Sequence, residues 1–227
     1  MENTTLSKEQ LALKLGKISG SGVHKLIPEG RRNMTEDELK AEKKAGGKRK
    51  TIDIPFGDTA MTYIYEKVAE RLTGERKTFK QTTEVLRGIE LEPEAKLYLK
   101  AAKNINVLEI GTKSDKDTAW SIDGWVPEFD TGIEIYCPNS DNHLKYLLGD
   151  QIDLKENYPT KYWQILFYCW KYERENWKFV TYDPRFLKQE QKMVMIDFKV
   201  NKEDMEYLKY KVNLATKLID EILNKLN

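Results

Sequence analysis

The stretch SIDGWVPEFDTGIEIYCPNS, residues 121–140, contains two short apolar runs separated by a turn-forming sequence. Asp123 lies directly before a glycine, and Glu134 lies between two isoleucines in the second run. Because side chains alternate along a strand, Glu134 and Tyr136 share one face. If the turn is centred on residues 128–129, Asp123 lies almost opposite Glu134. The stretch therefore predicts two paired strands that bring two carboxylates together.

Two carboxylates at cross-strand distance repel each other unless a cation lies between them. Mg²⁺ meets this requirement, because it binds carboxylates, carbonyls and water and neutralises charge on a phosphodiester. Glu92, on the preceding predicted helix, can complete such a site. A plainer interpretation makes Asp123 a turn residue and leaves Glu134 on a solvated strand face. The residues taken alone leave both interpretations open.

The length and composition predict a single α/β domain over residues 1–227. The 38 Lys and Arg against 37 Asp and Glu give a formal charge of +1, so any nucleic-acid-binding surface must be local. Cys137 and Cys169 lie in apolar runs without metal-ligand spacing. This pattern predicts buried thiols in a reducing compartment.

The N-terminal sequence MENTTLSKEQLALKLGK lacks the apolar core of a signal peptide. No apolar run approaches the length that a membrane span needs. We therefore expect a soluble, cytoplasmic protein without membrane contact.

Apolar spacing and capping residues predict the main helices and strands. The predicted helices cover residues 58–73, 82–102, 158–172 and 201–226, and a short helix follows Ser19 or Ser21. The predicted strands cover residues 106–112, 118–126, 132–138, 177–184 and 192–200. Pro93 predicts a kink or a cap beside Glu92 in the second helix.

Residues 31–50 contain almost no large apolar side chain and carry a cluster of basic residues around Gly46 and Gly47. The composition predicts a mobile basic loop. Lys48 and Arg49 are candidate DNA contacts, although a solvated face or linker is the more common explanation of such a charge run taken alone.

Six segments of the sequence occur in the same order as in one nuclease family. The gaps between them are also similar. They are LGKISGSGVHKLI (15–27), GIELEPEA (88–95), SIDG (121–124), GIEIYCP (132–138), YWQ (162–164) and YDPRF (182–186). Six segments in order are specific although each one alone is weak. Over most of its length the sequence resembles the family of lambda exonuclease and the YqaJ viral recombinases, within the PD-(D/E)XK nuclease superfamily.

The resemblance implies a restriction-endonuclease-like α/β fold with a central mixed sheet flanked by helices. It implies a Mg²⁺-dependent exonuclease, with Mn²⁺ as a substitute, that digests one strand of linear double-stranded DNA from the 5′ end in phage or prophage recombination. The implied partners are double-stranded DNA ends, a single-strand annealing protein and further copies of the chain in a trimeric ring. The implied location is the cytoplasm of a bacterial host.

The same resemblance assigns roles to residues of the catalytic site. Asp123 and Glu134 would bind the metal ion together with the carbonyl of Ile135, and Glu92 would contact the metal or its water. Gln164 matches a glutamine of the core helix that lies near the site.

The resemblance also implies a phosphate-binding pocket. Ser21 and Ser121 match serines that bind the terminal 5′-phosphate. Two arginine positions of that pocket hold Lys14 and Asn142 here, which weakens the expectation of a strict 5′-phosphate preference. His143 is either an auxiliary residue of this pocket or an ordinary polar loop residue.

The main departure from the family pattern is Tyr136, which aligns with the catalytic lysine. A phenol offers no positive charge to a phosphate, and loss of such a group typically slows catalysis by orders of magnitude. Three explanations stay open: an engineered inactivation, a natural loss of activity, or a lysine moved to another element, such as Lys161.

Two other functions therefore remain as alternatives to the exonuclease. The first is a non-catalytic clamp of the same fold that binds DNA ends without cutting them. The second is a related nuclease of other polarity, or one that prefers single strands, since one fold serves several substrates.

Overall fold

The computed structural model describes residues 8–76, 82–149 and 153–226. The first part contains α1 (Lys8–Lys14), β1 (Ile18–Ser19), β2 (Gly30–Asn33), α2 (Glu36–Lys44), β3 (Thr51–Ile54), α3 (Asp58–Thr73) and α4 (Thr83–Lys103). The middle contains β4 (Lys113–Ser114), β5 (Thr118–Trp120), β6 (Gly124–Val126), β7 (Thr131–Tyr136), α5 (Ser140–Leu148) and α6 (Leu154–Asn157). The last part contains α7 (Pro159–Tyr172), β8 (Asn176–Tyr182), β9 (Met193–Lys199) and α8 (Lys202–Leu226).

The sheets are mixed, as expected. One has the strand order β6–β7–β8–β9, in which β7 and β8 are parallel and the other neighbours antiparallel. A second has the order β1–β5–β4 with β1 parallel to β5, and β2 pairs with β3 in an antiparallel ribbon. The predicted α/β fold, with a mixed sheet flanked by helices, is confirmed.

The predicted strand at residues 106–112 is largely wrong. Leu108 forms an isolated bridge with Trp125, and regular pairing begins at Lys113. The expected run 118–126 is divided between β5 and β6, which belong to different sheets. The chain passes from one sheet to the other at Ser121 to Asp123, and this segment contains the first of the two acids.

Helix α7 passes through the protein core. Pro159 occupies its first turn, where a missing amide hydrogen costs nothing, and every residue from Tyr162 to Cys169 is buried. Its neighbours in the main hydrophobic cluster come from α3, α8 and β8. Because this helix is packed on most sides, its side chains are held at fixed positions relative to the sheet.

Other predicted helix signals are confirmed. Gly74 ends α3 in the left-handed conformation with φ 70°, and Asn201 caps α8 by accepting from the Asp204 amide at 3.0 Å. Cys137 and Cys169 are buried free thiols, as expected. In the described ranges no helix has the length and apolarity to cross a membrane.

The prediction of a loop over residues 31–50 is wrong for most of that segment. Helix α2 begins with a capping box between Thr35 and Glu38. It lies between strands β2 and β3, and residues 45–50 follow it outside regular structure. The helix buries none of its residues, so no apolar periodicity marked it in the sequence.

Two further expectations are corrected. Helix α4 continues through Pro93, so Glu92 lies inside a helix and not at a cap. Burial of Ala95 and Leu99 on the following turn helps to offset the lost hydrogen bond. The short helix after the serines is a 3-10 turn, Val23–Leu26, preceded by Gly22 and without a side-chain cap.

Candidate active site

The β6–β7 hairpin places the two acids of the opening stretch opposite each other. Gly124 pairs with Ile133 in the antiparallel register, which puts Asp123 across from Glu134. The Ile135 amide donates to Asp123 Oδ2 at 2.7 Å. The predicted meeting of the two carboxylates is therefore confirmed by the strand register.

Glu134 is almost completely buried, with 2% of its surface exposed. Its Oε1 accepts from Lys161 Nζ at 2.7 Å and from Gln164 Nε2 at 2.9 Å. Its Oε2 is buried and has no hydrogen-bond partner among the described residues. A buried carboxylate oxygen in that state is costly unless something binds it.

Three side chains of α7 form the other half of the site. Lys161, Gln164 and Tyr168 lie three and four residues apart, so they share one helix face. Gln164 Nε2 also donates to Tyr168 Oη at 3.0 Å. Tyr168 in turn donates to the Ser121 carbonyl at 2.8 Å, which connects the helix to the segment carrying the first acid.

The charges at this site do not balance. Asp123 and Glu134 supply two negative charges, and Lys161 supplies one positive charge in direct contact. Burial, followed by the charges of Glu134 and Glu92, raises the pKa of Asp123 well above its usual range. Burial alone would lower the pKa of Lys161, but the two carboxylates outweigh it and raise that pKa. One more positive charge, as a cation or a proton, is needed here.

The third predicted acid is engaged elsewhere. Glu92 forms an ion pair with Lys96 at 2.7 Å, although its charge still acts on Asp123. Across the described ranges, no three His, Cys, Asp or Glu side chains are grouped so that they could hold a metal ion. The site thus offers two carboxylates, and the ligand role of Glu92 stays a prediction.

Tyr136 lies on the Glu134 face of β7, but its ring packs against other aromatic rings. It stacks on Phe179 with 6.4 Å between ring centroids and meets Tyr146 edge-on at 6.5 Å. Lys161 Nζ lies 5.3 Å from the Tyr136 ring centroid. Burial raises the pKa of Tyr136, so its phenol is neutral at pH 7.

The two predicted phosphate-binding serines lie at the same edge of a sheet. Strands β1 and β5 are parallel with Ser19 beside Ala119. Ser21 lies in the turn after β1, where the Gly22 amide donates to the Ser19 carbonyl at 2.9 Å, and Ser121 directly follows β5. Gly20 lies so close to Tyr168 that a Cβ there would come within 2.4 Å of the ring. Only glycine allows this approach, which brings the serine edge next to the α7 face.

The other predicted DNA and phosphate contacts lie on different elements. Lys14 ends α1, and burial followed by the charge of Arg76 lowers its pKa. Asn142 lies in the first turn of α5 and accepts from Lys145 at 2.9 Å. Lys48 and Arg49 follow α2, and Arg49 pairs with Glu42 at 3.0 Å. The roles of these four residues in binding DNA or a 5′-phosphate stay predictions.

His143 is not a loop residue, and its auxiliary role in the phosphate pocket stays a prediction. It is fully buried in α5, and its Nε2 lies 2.8 Å from the Gln191 carbonyl.

Tyr168 was missed by the sequence reasoning. Its spacing of four residues from Gln164 was the available signal, but the aromatic density of this segment hid it.

A family model for the YqaJ-like viral recombinase domain matches residues 9–171. This chain belongs to the YqaJ-like viral recombinase family. The matched range includes both hairpin acids, Gln164 and both serines of the sheet edge. No curated protein sequence matches the chain significantly.

Solved structures of exonucleases share the fold. The alkaline exonuclease LHK-Exo from Laribacter hongkongensis is 22% identical, with a TM-score of 0.73 over 97% of this chain and 96% of that one. Its complex with dAMP gives a TM-score of 0.72 at the same identity and coverage. A phage-related exonuclease from Haemophilus somnus is 17% identical, with a TM-score of 0.67 over 93% of this chain and 96% of that one.

Proposed function

We propose that this protein is a Mg²⁺-dependent 5′–3′ exonuclease that digests one strand of linear double-stranded DNA in phage or prophage recombination. One observation carries the proposal: the buried Glu134 faces Asp123, and its Oε2 has no partner among the described residues. Membership of a viral recombinase family and a fold shared with exonucleases support the same class of activity.

The residues present fit a divalent cation. After Lys161 is counted, one carboxylate charge of the Asp123–Glu134 pair is left over. Mg²⁺ commonly takes one or two protein carboxylates and fills its other positions with water and substrate phosphate. Asp123, Glu134 and the Ile135 carbonyl would hold it, with Glu92 contacting it through water, and Mn²⁺ would substitute. When bound, the ion makes a coordinated water a stronger nucleophile and neutralises phosphate charge.

The reaction is hydrolysis of the first phosphodiester at a 5′ end. A bond forms between a water oxygen and phosphorus, and the bond from phosphorus to the 3′ oxygen of the terminal nucleotide breaks. The water loses one proton and the departing oxygen gains one. Gln164 fixes the orientation of the Glu134 carboxylate through its 2.9 Å hydrogen bond. Ser21 and Ser121, by the family resemblance, would donate hydroxyl hydrogen bonds to the terminal 5′-phosphate.

Digestion of one strand leaves a 3′ single strand, and we propose that a single-strand annealing protein receives it. Assembly of three copies in a ring around the duplex would retain the enzyme on its substrate. Both expectations come from the family resemblance. The same resemblance implies a location in the cytoplasm of a bacterial host.

A second candidate is a non-catalytic clamp of the same fold that binds DNA ends. Tyr136 favours it, because a neutral phenol stands where the resemblance implies a catalytic lysine. The clamp would use the same serine edge and would bind DNA ends as well as the enzyme does.

The deciding experiment is digestion of a linear duplex carrying a 5′-phosphate and separate labels on its 5′ and 3′ ends, with Mg²⁺ or Mn²⁺. We expect mononucleotides to appear first from the 5′ end. Asp123→Asn and Glu134→Gln should each lose activity by about 10³-fold or more. Asp130→Asn, an exposed acid in the same hairpin, is the matched control and should keep full activity.

The other outcomes are equally clear. Tight binding of duplex ends without digestion would establish the clamp. Release from the 3′ end, or digestion of single strands alone, would establish the related nuclease of other specificity. A protein that bound neither duplex ends nor single strands at moderate salt would contradict all of these functions.

A further inference from the structure

Lys161 is the cation that directly contacts the hairpin acids. Its Nζ lies 2.7 Å from Glu134 Oε1, and it is supplied by the first turn of α7, 27 residues further along the chain. Its side chain is 23% exposed, whereas that of Glu134 is 3% exposed, so Lys161 is the more accessible partner of the pair.

Phosphodiester hydrolysis places additional negative charge on the phosphate oxygens in the transition state. A positive charge held near those oxygens lowers the reaction barrier more than the same charge would in bulk water, because the site is partly shielded from solvent. An ammonium group has three N–H donors. The contact with Glu134 needs one of them, which leaves donors for a phosphate oxygen.

From this geometry we infer that Lys161 is the catalytic cation of the site and binds a non-bridging oxygen of the scissile phosphate. Tyr136 is its positioning residue: the ring lies 5.3 Å from Nζ and limits where the ammonium can go. The helix thus supplies the charge that position 136 of the strand lacks. The inference rests on the proposed exonuclease function.

The anchoring of Lys161 supports this assignment over simple charge pairing. Pro159 begins α7, and the buried Tyr162 and Trp163 fix the helix in the core directly after the lysine. Gln164, one turn further on, binds the same oxygen of Glu134. Two side chains of one rigid helix therefore converge on a single carboxylate oxygen and leave the other open.

The test replaces and then restores the positive charge. In Lys161→Cys, the introduced thiol is alkylated with bromoethylamine, which rebuilds an ammonium group, or with iodoacetamide, which adds a neutral one. Cys137 and Cys169 are buried, and burial raises the pKa of each thiol to about 12, so they compete little. The wild-type protein treated with both reagents is the control.

We expect Lys161→Cys to lower kcat by about 10²- to 10³-fold at saturating Mg²⁺ and DNA, with duplex binding nearly unchanged. Bromoethylamine should restore most of kcat, and iodoacetamide should restore none. Complete alkylation is verified by mass spectrometry, and folding by circular dichroism.

Two results would overturn the inference without touching the proposed function. One is a Lys161→Cys protein that digests DNA as fast as wild type. The other is a fully alkylated protein whose kcat is the same after either reagent, which would give Lys161 a structural role alone. If the wild-type protein itself digests no DNA, the proposed function fails, and the inference fails with it.

Discussion

Two buried glutamate–lysine pairs in this molecule have nearly equal geometry but differ in what surrounds them. Glu70 and Lys67 of α3 meet at 2.8 Å, and Glu134 and Lys161 join β7 to α7 at 2.7 Å. The second oxygen of Glu70 accepts from the Gly16 amide at 2.8 Å. The second oxygen of Glu134 is buried with no partner in the described part of the chain.

This difference separates a structural link from the site that we propose for metal binding. In the α3 pair both carboxylate oxygens are satisfied, and both side chains are at most 6% exposed. The pair at β7 retains an open oxygen, a second acid in Asp123, and a lysine that solvent can reach. Burial and pairing alone therefore do not distinguish the two carboxylates; the unsatisfied oxygen of Glu134 does.

The largest expected contrast is in stability. Glu70→Gln should lower the free energy of unfolding by about 3–5 kcal/mol, because it leaves the Lys67 charge buried without its partner. Glu134→Gln should change it by about 1 kcal/mol or less, since repulsion with Asp123 disappears and Lys161 can turn to solvent. Urea unfolding of both variants without metal measures this, and equal losses would contradict the distinction.

A third buried carboxylate, that of Asp183, allows the same comparison to be made through pKa values. Asp183 is fully buried, and its oxygens accept from Ser140 at 2.7 Å and from Arg185 at 2.9 Å. Burial alone would raise its pKa, but the hydrogen bonds from Arg185 and Ser140 outweigh burial and lower the pKa to about 2. In Asp123, burial followed by the charges of Glu134 and Glu92 raises the pKa instead.

Because the folded pKa of Asp183 lies below its ordinary value of 3.8, its contribution to stability is present above that pH and is lost as the pH falls towards 2. We expect this loss to be about 2 kcal/mol. Carboxyl-carbon NMR titration should show Asp183 titrating below, and Asp123 above, the usual aspartate range. If Asp123 titrated at a lower pH than Asp183, the distinction between the two carboxylate environments would be contradicted.

A smaller effect is expected from metal. Mg²⁺ at roughly ten times its dissociation constant should stabilise the wild-type protein by about 1.4 kcal/mol through mass action. Glu134→Gln should abolish this gain, whereas Glu70→Gln should keep it in whatever fraction remains folded. Thermal unfolding with and without Mg²⁺ provides the measurement. Stabilisation that survives in Glu134→Gln would place the ion elsewhere.

The smallest effect is expected at Tyr136. Tyr136→Phe keeps the ring beside Lys161 and removes only the phenol, so kcat should stay within about three-fold of wild type. Tyr136→Lys should bring no gain, because Lys161 already supplies the charge. A large loss in Tyr136→Phe would instead make the phenol a proton carrier.

Much of this site could be predicted from local patterns. The alternation of residues 132–138 and the turn before them fixed the facing of Asp123 and Glu134, since strand register follows the side-chain period. The apolar density of α7 predicted its burial and therefore the place of Gln164. These features depend on neighbours in the sequence, which is why they could be inferred.

Other features depended on three-dimensional contacts. The sequence named Lys161 as one position for a moved lysine, but its contact with Glu134, 27 residues away, depends on how α7 packs against the sheet. The helix α2 was missed because it buries nothing, so its capping box at Thr35 and Glu38 was its one signal. Pro93 was given too much weight, because packing of α4 outweighs the local cost of a proline.

The position of Lys161, Gln164 and Tyr168 on a helix whose other faces form the core has an evolutionary consequence. One residue of rotation in α7 is a turn of about 100°, which would displace all three side chains together. On the proposed function, a change of side-chain volume at the buried Ile165 or Phe167 that shifts α7 would therefore lower activity as well as stability. Homologues should conserve the shape of this interior more strictly than folding alone demands.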